Sequence, residues 1–172
     1  MRSVSNNDVA NDFDLEHFLP YRMSLLSNTL SQGIAQFYQQ RYQLSVPEWR
    51  VMVILGRYPG LTASQVCERT VMDKVTVSRA VKSLLDKQYV ERVTDQNDRR
   101  KRPLKIRTPE GSKVMEEVIP FAVEYQNALQ KSLTKGEWGI FDELMERLLS
   151  LATRLNQEFA SESELKTSVK SG

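Results

Sequence analysis

The sequence predicts a mainly α-helical chain with one small β-hairpin in its middle. Apolar residues recur at the helical period through most of the chain, and strand-like alternation is confined to residues 89–107. Punctuation supports this. Ser45, Thr62 and Thr134 are each followed three residues later by Glu or Gln, the pattern of a helix start closed by reciprocal side-chain hydrogen bonds.

Taken in order, residues 1–12 are polar and aperiodic and read as a tail. Leu26, Leu30, Ile34, Phe37 and Arg41 recur at helical spacing, so a long first helix is expected, with Pro20 near its start. Ser45-Val46-Pro47-Glu48 opens a second helix, and Tyr58-Pro59-Gly60 stops it. Thr62-Ala63-Ser64-Gln65 opens a short third helix. A turn at Val71-Met72 follows, and Asp73 is placed to cap a fourth, KVTVSRAVKSLLDK. Tyr89–Val93 and Leu104–Arg107 alternate as strands, with Asp95–Asp98 as turn residues between them. Thr108-Pro109 is expected to act as N-cap and first residue of a long helix carrying Val114, Val118, Phe121, Tyr125 and Leu129. The last helix places Trp138, Phe141, Met145, Leu148, Ala152, Leu155 and Phe159 at alternating three- and four-residue steps, a seam suited to packing along another helix. The polar residues from about 160 to 172 read as a second tail.

A chain of 172 residues suits one compact domain or a small domain with dimerisation arms. No apolar run approaches the ~20 residues needed to cross a bilayer. The segment MRSVSNNDVANDFD lacks the apolar stretch of a secretion signal, so a cytoplasmic protein without membrane partners is expected. Cys67 is the sole cysteine, which excludes an internal disulfide and a thiolate metal cluster. Charge is uneven. Residues 69–107 hold twelve Lys/Arg against five Asp/Glu, a local excess of +7 that leaves −5 for the rest of a chain of net charge +2. Six of the nine residues from Arg99 to Arg107 are cationic. Such a run is either a solvated loop or a surface facing a polyanion.

Residues 62–87 form a short helix, a turn and a longer helix, which is a helix-turn-helix. Val77, Val81, Leu84 and Leu85 give the second helix an apolar stripe. Lys74, Val75, Ser78, Arg79, Lys82 and Asp86 lie opposite, with Thr76 at the border. That face suits a major groove about 12 Å wide, where Arg pairs with guanine and a Thr or Val methyl meets the thymine methyl. Read alone, it is also an ordinary amphipathic helix. The basic hairpin that follows turns the arrangement into a winged helix. Its tip residues Arg99, Arg100, Lys101 and Arg102 could reach the neighbouring minor groove or its phosphates, with Asp98 directing Arg100. The start of the short helix, at Thr62, Ala63 and Ser64, could grip a phosphate.

The stretch from Pro47 to Gly111, carried by LTASQVCERTVMDKVTVSRAVKSL and DKQYVERVTDQNDRRKRPLKIRTPEG, resembles the MarR family of winged-helix transcription regulators. The family's D-x-R at the wing and T-x-x-G after it are filled by Asp98, Arg100, Thr108 and Gly111. The flanking helices resemble the family's dimerisation region, and the likeness spans roughly residues 15–157. Two departures stand out. Gln88 occupies a usual Gly position, where left-handed geometry would cost on the order of 1 kcal/mol. The joint near Arg107 also carries one extra residue.

The resemblance implies a winged helix-turn-helix with N- and C-terminal helices forming a dimerisation region. The expected divisions are 13–44 (N-terminal dimerisation helix), 45–110 (DNA-binding region) and 111–159 (C-terminal dimerisation helices), between tails 1–12 and 160–172. It implies a homodimeric repressor of a pseudo-palindromic double-stranded DNA operator, released by a small aromatic or phenolic effector. Arg22, Ser27, Trp49 and Arg50 are the candidates for the effector pocket. The alternatives are a winged-helix protein-interaction module, or an activator without an effector. No catalysis, cofactor or metal is expected: His17 lacks evident ligand partners, and Cys67 falls on the inner side of the short helix.

Overall fold

The computed structural model describes residues 13–94 and 101–169, with side chains through Glu162. Its elements, in chain order, are α1 (Leu19–Tyr42), α2 (Val46–Arg57), α3 (Ala63–Thr70), α4 (Lys74–Asp86), β1 (Val90–Arg92), β2 (Leu104–Ile106), α5 (Glu110–Gln130) and α6 (Lys135–Val169). The mainly helical fold with a two-stranded antiparallel sheet agrees with the fold class expected from the sequence. The chain forms two compact units, one through Tyr125 and one from Gln126. No described helix is long and apolar enough to cross a membrane.

The predicted caps account for the helix starts. The Ser45 hydroxyl accepts the Glu48 amide, and the Glu48 carboxylate accepts the Ser45 amide at 2.6 Å. Thr62 and Gln65 make the same reciprocal pair, as do Thr134 and Glu137. Each satisfies amides that a helix start leaves without an intrahelical acceptor. In the first unit the core joins Tyr38 of α1, Val51, Met52 and Leu55 of α2, Val66 of α3, Val77, Val81 and Leu84 of α4, Val90, Leu104, and Val114 and Val118 of α5.

α1 and α5 pack closely. Gly33 lies against the Tyr125 ring where a Cβ would overlap it. Phe37 stacks on Phe121 with centroids 4.4 Å apart, and Arg41 pairs with Glu117 at 2.7 Å. The buried residues of α1 are Ala35 and Tyr38, one position along from the expected stripe. Ile34 and Phe37 are only partly buried, and Leu26 is exposed.

Three expectations are corrected. First, Thr108 is not an N-cap. α5 begins at Glu110, after a cis Thr108–Pro109 bond, and the Gly111 and Ser112 amides go to the Arg107 carbonyl. A backbone acceptor therefore takes the role assigned to the hydroxyl, which lies 3.2 Å from the Ser112 hydroxyl. Second, the residues after 160 do not all form an aperiodic tail. α6 continues to Val169, since no Gly or Pro interrupts the chain between Gly139 and Gly172. Third, the strands are shorter than their alternation, each three residues long. Their register is regular, Val90↔Ile106, Glu91↔Lys105 and Arg92↔Leu104, and the Arg107 amide continues it by donating to the Tyr89 carbonyl. Gln88 does adopt the left-handed backbone, with φ 62°. The expected tail over residues 1–12 and the expected turn at Asp95–Asp98 lie outside the described residues.

Candidate nucleic-acid interface

α4 is presented by its own sequence pattern. Val77, Ala80, Val81 and Leu84 are buried, which holds one side of the helix against the core. Lys74, Val75, Ser78, Arg79, Lys82 and Asp86 lie on the outer side, and Thr76 is half-buried at the border. Asp73 caps the helix: its carboxylate accepts the Thr76 amide at 2.8 Å and the Thr76 hydroxyl at 2.5 Å. Those two bonds, the hydroxyl's first, hold the Asp73 carboxyl below its ordinary range. The Thr76 hydroxyl thus serves the cap, a role that its border position on the helix does not announce. At the other end of the turn, Val71 closes α3 with φ 54° and is 92% exposed.

The start of α3 and the base of the wing meet in one groove. Thr62, Ala63 and Ser64 line it together with Arg92, Lys101 and Arg102. Lys101 also borders a neighbouring groove with Gly60, Gln65 and Pro103. The two sides are tied by backbone bonds. Leu104 donates to the Leu61 carbonyl and accepts from the Gly60 amide, both at 2.8 Å, so Leu61 bridges β2 as a single strand position. One bridging residue has no period, which is why the sequence does not betray it. Across the hairpin, Lys105 pairs with Glu91 at 2.9 Å. Lys101 and Arg102 are exposed, whereas Asp98, Arg99 and Arg100 lie outside the described residues.

Chemically, this surface offers amides at a helix start, hydroxyls and several cations, with Arg79 and Lys82 on the adjoining helix face. That combination suits phosphate oxygens and base edges. The same unit holds a feature without sequence signal. Lys87, just past α4, reaches Glu48 of α2 at 2.7 Å and the Gln43 carbonyl at 2.8 Å. Glu48 is only 4% exposed. Burial pushes its carboxyl up, but hydrogen bonds involving Lys87, Ser45 and Ser83 outweigh that and hold it below its ordinary value. The partners stand about forty residues apart in sequence, beyond any local pattern.

The four effector candidates do not share one environment. Trp49 is in the core, stacked on Tyr38 at 5.5 Å, and burial pushes the Tyr38 phenol up to about 12. Arg22 and Ser27 are exposed on α1, and Arg50 reaches the hydroxyl of Ser31 at 3.5 Å. His17 is exposed and bonds Asp14 at 2.8 Å. Cys67 is partly buried, packed against the core. Among the described residues, no group of three His, Cys, Asp or Glu side chains could hold a metal.

A helix-turn-helix whose second helix leads directly into an anchored β-hairpin is a winged-helix fold. The family model described as MarR family matches residues 42–101. The transcriptional regulator HosA of Escherichia coli O127:H6 is 24% identical over 125 residues, covering 73% of this chain and 92% of HosA. The crystal structure of a MarR/EmrR family transcriptional regulator from Acinetobacter sp. ADP1 matches with TM-score 0.72 and 24% identity, over 84% of this chain and 99% of that one. Streptococcus pneumoniae FabT, solved in complex with DNA, matches with TM-score 0.65 and 23% identity, over 83% and 99% of the two chains. Residues 42–101 thus match the MarR family model, and the fold is that of the MarR-type winged-helix structures.

Proposed function

We propose that the protein is a homodimeric, cytoplasmic repressor that binds a pseudo-palindromic duplex operator and lets go when a small aromatic or phenolic anion binds. It acts by binding rather than by catalysis. One observation carries the DNA reading: the exposed cationic face of α4 lies in the same compact unit as the groove that brings Thr62, Ala63 and Ser64 together with Arg92, Lys101 and Arg102. In this reading α4 enters the major groove, the start of α3 grips a phosphate, and the wing, with Asp98, Arg99 and Arg100 at its tip, meets the neighbouring minor groove. FabT, a protein of like fold, has been solved in complex with DNA, which supports DNA as the partner.

Homodimerisation is supported by apolar side chains left exposed on the single chain. They include Leu19, Tyr21, Leu25 and Leu26 of α1, and Phe141, Met145, Leu148, Leu155 and Phe159 of α6. Residues 13–44 and 111–159 are the proposed arms, flanking the DNA-binding region 45–110. Repression and effector release rest on family likeness, with Arg22, Ser27, Trp49 and Arg50 as the residues to test.

The direct test is selection of duplexes from a random pool by the full chain, followed by gel-shift titration of the recovered sequence. Arg79→Ala is expected to weaken that complex about tenfold, the usual effect of removing one base-edge contact, with an unchanged circular dichroism spectrum. Failure to enrich any duplex would overturn the reading.

A further inference from the structure

α4 must present its outward face at one angle if both it and the wing are to meet a single duplex. Its packing alone does not fix that angle. Val77, Ala80, Val81 and Leu84 are held by apolar contact, which is non-directional. The cap at its first turn is local, since Asp73 bonds Thr76 of the same helix. Directional ties to other elements are found at its far end. Lys87 follows the last helical residue, and its amide still bonds the Ser83 carbonyl at 2.9 Å. Its ammonium then donates to the Glu48 carboxylate and to the Gln43 carbonyl.

These two acceptors belong to different parts of the fold. Gln43 closes α1 in the left-handed conformation, at φ 53°, and Glu48 is in the first turn of α2. Glu48 has its second oxygen on the Ser45 amide, so the carboxylate is itself held in place before Lys87 arrives. Side-chain exposure is 6% for Glu48 and 28% for Lys87, so the pair is shielded from competing water and salt. A buried ion pair is often no more stabilising than apolar residues of the same shape, because desolvation offsets the attraction. What it adds is direction: three groups, from α1's end, α2's start and α4's end, meet at one point.

Resting on the DNA-binding reading above, we infer that Lys87, through Glu48 and the Gln43 carbonyl, is a positioning residue that sets the angle of α4 toward the duplex. Lys87 itself touches no DNA. Its loss leaves the cationic surface in place but lets α4 sample several angles. Sequence-specific binding, which needs the base-edge contacts in register, then falls. Binding to phosphates at large does not.

The test uses the full chain and two duplexes: the sequence that the wild type recovers from a random pool, and an unrelated duplex of equal length at low salt. Lys87→Met is expected to weaken the recovered duplex about tenfold while leaving the unrelated one within about twofold. Lys87→Arg keeps the charge and donors and is expected to restore most of the difference. Glu48→Gln, which keeps the shape and removes the charge, gives the same split and serves where Lys87→Met melts. In the DNA-free protein, hydrogen exchange of amides in 84–89 and 43–48 is expected to speed up in Lys87→Met, with Val66–Arg69 unchanged. Equal losses on both duplexes, or wild-type affinity for the recovered one, would overturn the inference. A wild type that recovers no duplex removes the DNA reading instead. The exchange pattern then decides by itself whether the tie orders α4, and unchanged exchange refutes it.

Discussion

Val71 ends α3 with φ 54°, in a region that β-branched residues enter at a cost, and its side chain is 92% exposed, so packing offsets none of it. Val71→Asn, which tolerates that backbone, is expected to raise stability by about 0.5–1 kcal/mol. A urea titration with unchanged slope and a lower midpoint would contradict this. Glu48 makes a different argument, through protons. Its folded carboxyl titrates below the ordinary range despite burial, because Lys87 and Ser45 favour the anion. Its contribution is therefore complete above the unfolded value of about 4.3 and is lost as pH falls through the lower folded value. In Lys87→Met the largest of the bonds that favour the anion is lost, while burial and the bonds involving Ser45 and Ser83 remain, so the folded value moves up and the stability that the anion contributes shrinks. The substitution is expected to cost about 2–4 kcal/mol at pH 7 and progressively less as pH falls through the carboxylate range. Denaturation curves across that window check it, and a cost independent of pH would show that the carboxylate is not involved.

At the scale of elements, the joint between wing and α5 depends on close backbone approach. Gly111 lies against the Tyr89 carbonyl, where a Cβ would collide with main chain rather than with a movable side chain. Gly111→Ala is expected to destabilise the fold by about 2–3 kcal/mol, with a lower thermal midpoint as the readout. The same joint marks where sequence reasoning succeeds and where it stops. Gly111 is legible as part of T-x-x-G, but Thr108 misleads, because a hydroxyl before Pro looks like a cap whichever carbonyl takes the helix amides. The reciprocal caps at Ser45, Thr62 and Thr134 are legible because both partners lie within four residues. The two faces of α4 are legible because helical period alone assigns them, down to Thr76 at the border. The Lys87–Glu48 tie and the Leu61 bridge are not, since each joins residues that only the tertiary fold brings together. The run of α6 beyond residue 160 escapes for another reason: a polar helix carries no apolar period to announce it.

For the whole molecule, the decisive property is the segregation of charge: residues 69–107 carry +7 in a chain of net +2. Two accounts of that excess differ measurably. As a solvated loop, its cations would hold no fixed relation to bound DNA, and neutralising any two would change affinity little and without regard to salt. As a duplex-facing surface, each Lys or Arg on a phosphate displaces a counterion, so affinity falls linearly in log–log terms with salt. Lys101 and Arg102 separate the accounts, because they are exposed yet line the groove at the start of α3. The double substitution Lys101→Ala with Arg102→Ala is expected to lower the magnitude of the salt slope by about 2, roughly one for each phosphate no longer neutralised. Affinity should fall on specific and unrelated duplexes alike, since phosphates carry no sequence information. That uniform loss is the opposite of the selective loss expected for Lys87→Met, so the two variants together distinguish a surface that holds the duplex from a tie that aims the helix. Equal slopes for wild type and the double variant, measured by fluorescence anisotropy over a range of salt, would place Lys101 and Arg102 off the DNA.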